Sequence, residues 1–461
     1  MKSIEGFDFF SLNFDEKGVL QGAEFNELGQ RAAAATDAIF LAHGFRNSAD
    51  DATSLYTKFL QTFRGHLARP EFQEVAGRKF VVAGLFWPSL QLPESFKSQD
   101  GGVQAADGDA PLSASLVQKL QDLKTVSPEH AVQLDAAIAL LPHVEDDAAA
   151  QDQFSDLLLA LTDGGELDAT EGLQQIRQQP GSVLLQKLSL PVILPTQAAD
   201  AGFDRGGVAS LDDFTAGSAN GSTQGIGSFF GSILGGVDKF INLTTWYIMK
   251  NRSGVVGANG VAKAVRDLKA SNAAMRIHLV GHSLGGRLMA ACAKSLAQSP
   301  LLQPDSVTLL EAAFSHYGFS PNNGKGTAGF FRDVIDKKVV KGPLLETFSF
   351  QDTAVGANYA IASRLAGDNV KAIGDASDEF GGIGRNGAQL TSESVFLKLK
   401  TAAAPGGPYA FQTGVVTCLD GSGGLIKDHG DVTNENVTYA FASSVAATAP
   451  LGKTQSGSAG S

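Results

Sequence analysis

The sequence predicts an α/β protein in which helices wrap a mostly parallel central sheet. Short runs rich in β-branched and aromatic residues alternate with helical patterns, which is typical of this class. Helical patterns at Asn259–Lys269 and Leu284–Gln298 flank one such run, and Phe7–Phe14 and Val19–Glu24 predict an antiparallel lead-in. The clearest predicted strands are Ala38–Ala42, Lys79–Phe86, Arg276–Gly281, Ser306–Ala312, Leu344–Phe350 and Val415–Leu419.

The segment between Trp87 and Arg276 is too long to be an ordinary connection in this scheme. Leucines recur at helical spacing from Leu112 to Leu123, and another helical pattern includes Phe154 and Leu161. We therefore predict a helical cap inserted before the strand that begins at Arg276. The predicted division is 1–97 for the first part of the sheet domain, 98–245 for the cap or lid insertion, 246–452 for the second part and 453–461 for a disordered tail.

The charge is distributed unevenly along the 461 residues. The net charge is −12, but Ser98–Phe214 alone holds 19 acidic and five basic residues, a local net charge of −14. This asymmetry indicates that the insertion is a separate structural unit. It also argues against nucleic acid or anionic lipid as a partner, because the acidic surface would repel both.

A glycine-spaced helical pattern follows the acidic segment and a Gly/Ser-rich run, Thr215–Gly225, that predicts a mobile loop. Apolar residues from Ile226 to Ile241 form one helical face, and Gly227, Gly231 and Gly235 recur every four residues. Such a glycine ridge permits close helix packing, and in membranes it marks dimer faces. The pattern is compatible with a buried helix packed under the cap or with a lid that contacts lipid or substrate.

The composition favours a soluble cytoplasmic protein. Cys292 and Cys418 both lie in apolar runs, which predicts buried free thiols rather than a disulfide framework. The first residues lack the apolar run and cleavage site of a secretory signal. Contact with a membrane or lipid is possible on the sequence but is not favoured.

The segment with the clearest chemistry is the G-x-S-x-G motif formed by Gly281, Ser283 and Gly285, which occurs once in the chain. A predicted strand precedes it and a predicted helix follows it. A serine on such a tight strand-to-helix turn is exposed above the sheet edge, and side chains larger than hydrogen at the two glycines would clash there. We expect Ser283 to be a nucleophile.

With this motif in place, the chain resembles the α/β-hydrolase superfamily, in particular its bacterial esterase-like and lipase-like members. The resemblance covers about two-thirds of the chain, on both sides of the insertion. It implies an oxyanion-hole segment after an early strand, and His43-Gly44-Phe45 follows Ala38–Ala42 in that way. The backbone N–H groups of Phe45 and Leu284 are the expected oxyanion donors.

The resemblance also orders the remaining residues as serine, then acid, then histidine. Of the eight histidines, His316 and His429 follow the motif without adjoining it, and the family does not place its base where His316 lies. His429 follows the last predicted strand and is the expected base. Asp352, just after Leu344–Phe350, is the expected acid, and Glu311 is the alternative because some relatives carry the acid one strand earlier.

These residues imply a serine hydrolase that cleaves a small-molecule carboxylic ester through an acyl-enzyme intermediate, without a metal or cofactor. The position of the cap departs from many relatives, which carry it after the nucleophile helix. Three functions therefore stay open: a carboxylesterase, a lipase or phospholipase with an interfacial lid, and a binding protein that kept the fold without activity.

Overall fold

The protein is an α/β protein with a mixed, mostly parallel sheet and flanking helices. The computed structural model describes residues 2–89, 110–163, 169–190, 232–367, 375–403 and 407–448. Ten strands in these ranges form one sheet in the order β1-β2-β5-β4-β6-β7-β8-β10-β9, with β3 paired to β2. The strands are β1 Lys2–Ile4, β2 Phe7–Phe14, β3 Leu20–Gln21, β4 Asp37–Ala42, β5 Phe80–Phe86, β6 Arg276–His282, β7 Ser306–Leu310, β8 Leu344–Phe348, β9 Ser394–Lys398 and β10 Val416–Asp420.

The predicted strands are confirmed, and so is the antiparallel lead-in, because β1 and β3 both pair with β2 in antiparallel fashion. Beyond β2 every pairing is parallel. The run Val19–Glu24 forms strand only over Leu20–Gln21, since a helix already begins at Glu24. Strand β9 is an addition at the exposed edge of the sheet.

Helices cover both faces of the sheet, and two buried apolar clusters lie between them and the strands. Strands β4 and β6 are fully buried, as expected for central parallel strands covered on both faces. In the described ranges the α-helices are α1 Glu24–Ala32, α2 Ala49–Leu67, α3 Gln73–Ala76, α4 Ala110–Val126, α5 Ala131–Leu140, α6 Ala148–Ala160, α7 Leu173–Ile176, α8 Gly181–Ser189, α9 Ile233–Val255, α10 Ala262–Ser271, α11 Leu284–Leu296, α12 Arg332–Asp336, α13 Thr353–Ala366, α14 Ile383–Asn386 and α15 Glu435–Ala446.

The secondary structure described between β5 and β6 consists of helices without strands, as the sequence predicts. Its helices α4 to α8 bury leucines that join the same apolar cluster as one face of the sheet. The loop Thr215–Gly225 and the tail 453–461 lie outside the described residues, so the predictions for them stay predictions.

Helix α9, the described part of the glycine-spaced pattern, is buried along most of its length. At Gly236 a β-carbon would lie 2.4 Å from the Leu185 carbonyl oxygen, so only glycine allows α8 to come this close. These contacts agree with a packed helix rather than a free lid. The predicted boundary between residues 245 and 246 falls inside α9, which continues as helix to Val255.

A buried ion pair connects the inserted segment to the rest of the protein. Lys250 on α9 contacts the carboxylate of Glu171 and donates a hydrogen bond to the Tyr359 hydroxyl at 2.6 Å. The hydroxyl donates to Glu171 Oε2 at 2.8 Å, and the Ser315 N–H donates to Oε1 at 3.0 Å. Because each charged group is matched, this cluster fixes the insertion against α13 and the segment after β7.

Among the described helices, none combines the length and the apolar character that crossing a membrane requires.

Candidate active site

The carboxyl ends of β4 and β6 meet at the centre of the sheet, where Ala42 pairs with Gly281. The chain leaves β4 toward β5 on one side, whereas β6 lies on the other side, so this is a point where the strand order reverses. Crevices at such points are the usual ligand sites of open α/β sheets. The residues after β4 and after β6 therefore lie side by side at a favourable place for chemistry.

Ser283 lies on a strained turn between β6 and α11. Its φ of 58° and ψ of −124° are unusual for a residue with a side chain, and such strain is retained mostly at functional sites. The Ser283 N–H donates to the Leu310 carbonyl at 3.0 Å, and the Ala313 N–H donates to the Ser283 carbonyl at 3.0 Å. These two hydrogen bonds anchor the turn to residues at the end of the neighbouring strand, β7.

Gly281 and Gly285 are required by close backbone contacts, and Gly44 by a side-chain contact. A β-carbon on Gly281 would lie 2.1 Å from the Gly285 carbonyl oxygen, and one on Gly285 would lie 2.4 Å from the Ala42 carbonyl oxygen. A β-carbon on Gly44 would lie 2.8 Å from Cβ of Ser283 and 3.3 Å from its Oγ. Gly44 therefore lies directly against the serine side chain.

His429 and Asp352 are hydrogen-bonded to each other at the same edge of the sheet. The His429 Nδ1 lies 2.8 Å from Asp352 Oδ2. The carboxylate can only accept, so Nδ1 carries the proton and Nε2 is the ring nitrogen left for chemistry. The His429 side chain is 22% exposed whereas Asp352 is fully buried.

Two further contacts hold Asp352 in place. Its Oδ1 accepts the Val355 N–H at 2.8 Å, which caps the N-terminus of α13. Its backbone carbonyl accepts a hydrogen bond from Arg385 at 3.1 Å. The helix terminus and the nearby guanidinium both favour a negative charge at this position. Asp352 is thus both a helix cap and the partner of His429.

Glu311, the alternative acid, lies beside the same ring nitrogen but farther away. Its Oε2 is 3.7 Å from His429 Nδ1, and its backbone has a positive φ of 44°. Burial, followed by the charge of Asp352, raises the pKa of the Glu311 carboxyl well above its usual range. The shorter bond therefore goes to Asp352, and Glu311 holds a proton.

His282, which sequence order excluded as a base, positions His429. Its Nε2 lies 2.7 Å from the His429 carbonyl, and the two ring centroids are 4.6 Å apart. The carbonyl can only accept, so His282 is protonated at Nε2. Burial lowers the His282 pKa to about 3, which keeps the ring neutral. No sequence signal beyond its place in the motif indicates this role.

The two expected oxyanion donors are available at this edge. In the described part of the chain, neither the Phe45 N–H nor the Leu284 N–H donates to another protein group. Leu284 is the first residue of α11, where unpaired N–H groups and the helix dipole favour a negative charge.

The segment that carries Phe45 is fixed by neighbouring side chains. The His43 N–H donates to the Tyr56 hydroxyl at 3.0 Å, and the Trp87 indole donates to the His43 carbonyl at 3.1 Å. The His43 Nδ1 lies 3.0 Å from the Gly44 carbonyl, which belongs to the same peptide group as the Phe45 N–H. Burial lowers the His43 pKa to about 4, so the ring is neutral and can hold that peptide in one orientation.

A second set of serine, histidine and aspartate lies elsewhere in the sheet. The His278 Nδ1 is 2.7 Å from Ser306 Oγ, and its Nε2 is 3.0 Å from Asp37 Oδ1. All three residues are fully buried, and Asp37 and Ser306 are the first residues of β4 and β7. Sequence order excluded His278 as a base, and the structure places it in this interior cluster.

One group of side chains in the described ranges could hold a metal ion, and it consists of Glu311, Asp352 and His429. One ligand atom of each lies within 4.8 Å of the others. The direct hydrogen bond between Asp352 and Nδ1 uses the ring nitrogen that faces both carboxyl groups. A metal at this position would replace that bond.

The fold and the site together define an α/β protein that presents a strained serine and a histidine–aspartate pair at the carboxyl edge of its sheet. Comparison with protein-family models, with curated proteins and with solved structures gave no match.

Proposed function

We propose that the protein is a serine hydrolase with an α/β-hydrolase fold, which cleaves carboxylic esters. The observation that carries the proposal is the combination of Ser283, in its strained turn, with the hydrogen-bonded pair of His429 and Asp352 at the same sheet edge. Nucleophile, base and acid are recognised by such roles and geometry rather than by sequence position.

In the proposed mechanism His429 Nε2 takes the proton of Ser283 as Oγ attacks the ester carbon. Asp352 keeps the proton on Nδ1 and stabilises the imidazolium that forms. The alcohol leaves with the proton from His429, and water then attacks the acyl-enzyme by the same route. In the described ranges no hydrogen bond joins Ser283 Oγ to the His429 ring, and without substrate such bonds are often long or poorly aligned.

The oxyanion in this mechanism is stabilised by the N–H groups of Phe45 and Leu284. Removal of one such donor typically costs about 10²–10³ in turnover. The bonds that fix the His43–Gly44 segment support this role, because a preorganised donor needs no rearrangement during the reaction.

Dissolved esters without strong negative charge are the proposed substrates. The local net charge of −14 in Ser98–Phe214 disfavours an anionic substrate. The lipase alternative assigned the helix near residues 226–241 as an interfacial lid. From Ile233 onward that helix is packed inside the protein, which favours dissolved esters over interfacial action.

The test compares two serine variants in an assay of p-nitrophenyl ester hydrolysis. Ser283→Ala should lower turnover by about six orders of magnitude, as removal of a triad nucleophile does elsewhere. Ser306→Ala is the matched control, because it removes the hydroxyl from the buried set, and it should keep turnover per folded molecule. Comparable losses in both variants, or no loss in Ser283→Ala, would contradict the assignment.

A further inference from the structure

Two carboxyl groups face one ring nitrogen at the proposed active site. Asp352 and Glu311 are both fully buried, and their nearest oxygens lie 2.8 Å and 3.7 Å from His429 Nδ1. A hydrolytic triad needs one acid, so the second carboxyl requires its own explanation. Burying a carboxyl group is unfavourable unless it is hydrogen-bonded, and the partner that Glu311 has among the described residues is the other carboxyl, Asp352.

Two adjacent buried carboxylates cannot both be charged, so the pair carries a single negative charge. That charge lies on Asp352, because Asp352 accepts from both His429 and the Val355 N–H and Glu311 accepts from neither. The Arg385 side chain that contacts the Asp352 carbonyl adds a positive charge nearby. Loss of the Asp352 charge would remove its repulsion on Glu311, while burial would still favour the neutral form.

The backbone holds Glu311 close to this position. Glu311 lies immediately after β7, has a positive φ, and its N–H donates to the Thr347 carbonyl at 3.1 Å. A β-carbon on Gly384 would lie 2.4 Å from the Glu311 carbonyl carbon, so α14 packs tightly against it. A buried carboxyl group on a strained, tightly packed residue indicates selection for position rather than for stability.

We propose that Glu311 is a stand-by acid, which accepts the Nδ1–H of His429 when Asp352 cannot. The inference rests on the proposed function. A shift of about 1 Å would bring Glu311 Oε2 to hydrogen-bonding distance. Asp352 would then keep the proton on Nδ1 in the native protein, and Glu311 would keep it there when the Asp352 carboxylate is lost.

The test is a double-mutant cycle of Asp352→Asn and Glu311→Gln, read out by turnover and by ¹⁵N NMR of the His429 ring. Asp352→Asn keeps the α13 cap oxygen, and Glu311→Gln keeps the side-chain size. Asp352→Asn should cost about 10² in turnover, and the double variant the full 10⁴ or so that follows loss of the triad acid. Glu311→Gln alone completes the cycle and should cost much less than Asp352→Asn, since the native acid remains.

The NMR readout does not depend on hydrolysis. The ring should carry its proton on Nδ1 in the native protein and in Asp352→Asn, and on Nε2 in the double variant. Glu346→Gln is the matched control, because Glu346 is another fully buried carboxyl but is not in the set around His429. Asp352→Asn combined with Glu346→Gln should have the same turnover and the same ring protonation as Asp352→Asn alone.

An Nε2-protonated ring already in Asp352→Asn, or equal turnover in Asp352→Asn and the double variant, would overturn the inference. Failure of the proposed function looks different. The native protein would then hydrolyse no ester, while the position of the ring proton would still report whether Glu311 replaces Asp352.

Discussion

The protein contains two sets of serine, histidine and aspartate whose surroundings differ. In the buried set, Ser306 and Asp37 begin their strands and His278 connects them with bonds of 2.7 Å and 3.0 Å. In the other set, Ser283 and His429 lie at the carboxyl edge, and His429 is 22% exposed. The short bonds alone therefore do not identify the reactive set.

Backbone strain at the serine and exposure of the histidine distinguish the two sets. Ser283 has a positive φ at a turn, whereas Ser306 lies in a regular strand and is fully buried. The two sets also differ in the ring nitrogen that the aspartate contacts. Asp37 lies at Nε2 of His278, whereas Asp352 lies at Nδ1 of His429. The buried set stabilises the strand ends, and the edge set is the one that we propose for acyl transfer.

The largest expected difference between the sets is in the histidine variants. His429→Ala should lower turnover by about 10⁶ with little change in unfolding free energy. His278→Ala should leave turnover per folded molecule near native but lower the unfolding free energy by about 1–3 kcal/mol, because it leaves buried polar groups without a partner. Ester turnover and urea unfolding of both variants measure this. A strong turnover loss at His278 with preserved folding would reverse the assignment.

Like the buried set, the Lys250–Glu171 pair should contribute to stability. Lys250→Met leaves the Glu171 carboxylate uncompensated and should lower the unfolding free energy by about 3–5 kcal/mol. Replacing both residues by Met should recover most of the loss, since a well-packed apolar pair can substitute for a buried ion pair. Urea unfolding measures both variants. If the double variant remained as unstable as Lys250→Met, the loss would come from packing instead of an unpaired charge.

The smallest expected effect is on the contact between Gly44 and Ser283. Gly44→Ala places a β-carbon 2.8 Å from Ser283 Cβ and should lower turnover by about 10² through displacement of the serine. Gly65→Ala, at a position with no atom within 4 Å of the new β-carbon, is the matched control and should keep native turnover. Equal turnover in the two variants would show that the Gly44 contact is unimportant for chemistry.

Much of the fold could be predicted because the central strands are buried on both faces and therefore read as continuous apolar runs. Strand β9 was missed because it lies at the edge, where its residues are half-buried or exposed and the apolar pattern is weak. The long insertion was recognised from helical spacing, but its attachment through Glu171 and Lys250 was not. That contact depends on how distant elements pack, which no local pattern records.

The part of the candidate site that depends on the motif and on the order of residues along the chain could be predicted. They gave Ser283, Asp352 and His429, and the structure brings the last two into hydrogen-bonding distance. They did not give the bond from His282 to the His429 carbonyl or the closeness of Glu311 to Asp352. Both depend on how loops from different strands meet at one edge. The sequence therefore left Asp352 and Glu311 as alternatives, whereas both turn out to face His429.

The most direct test of the central claim is covalent labelling with a fluorophosphonate probe, which reacts with an activated serine, followed by mass spectrometry of the labelled peptide. We predict stoichiometric labelling at Ser283 in the native protein and in Ser306→Ala, and none in Ser283→Ala. Labelling should persist after dialysis against EDTA, because the proposed chemistry uses the Glu311, Asp352 and His429 cluster without a metal. An unlabelled native protein, or a label on any residue other than Ser283, would contradict the account.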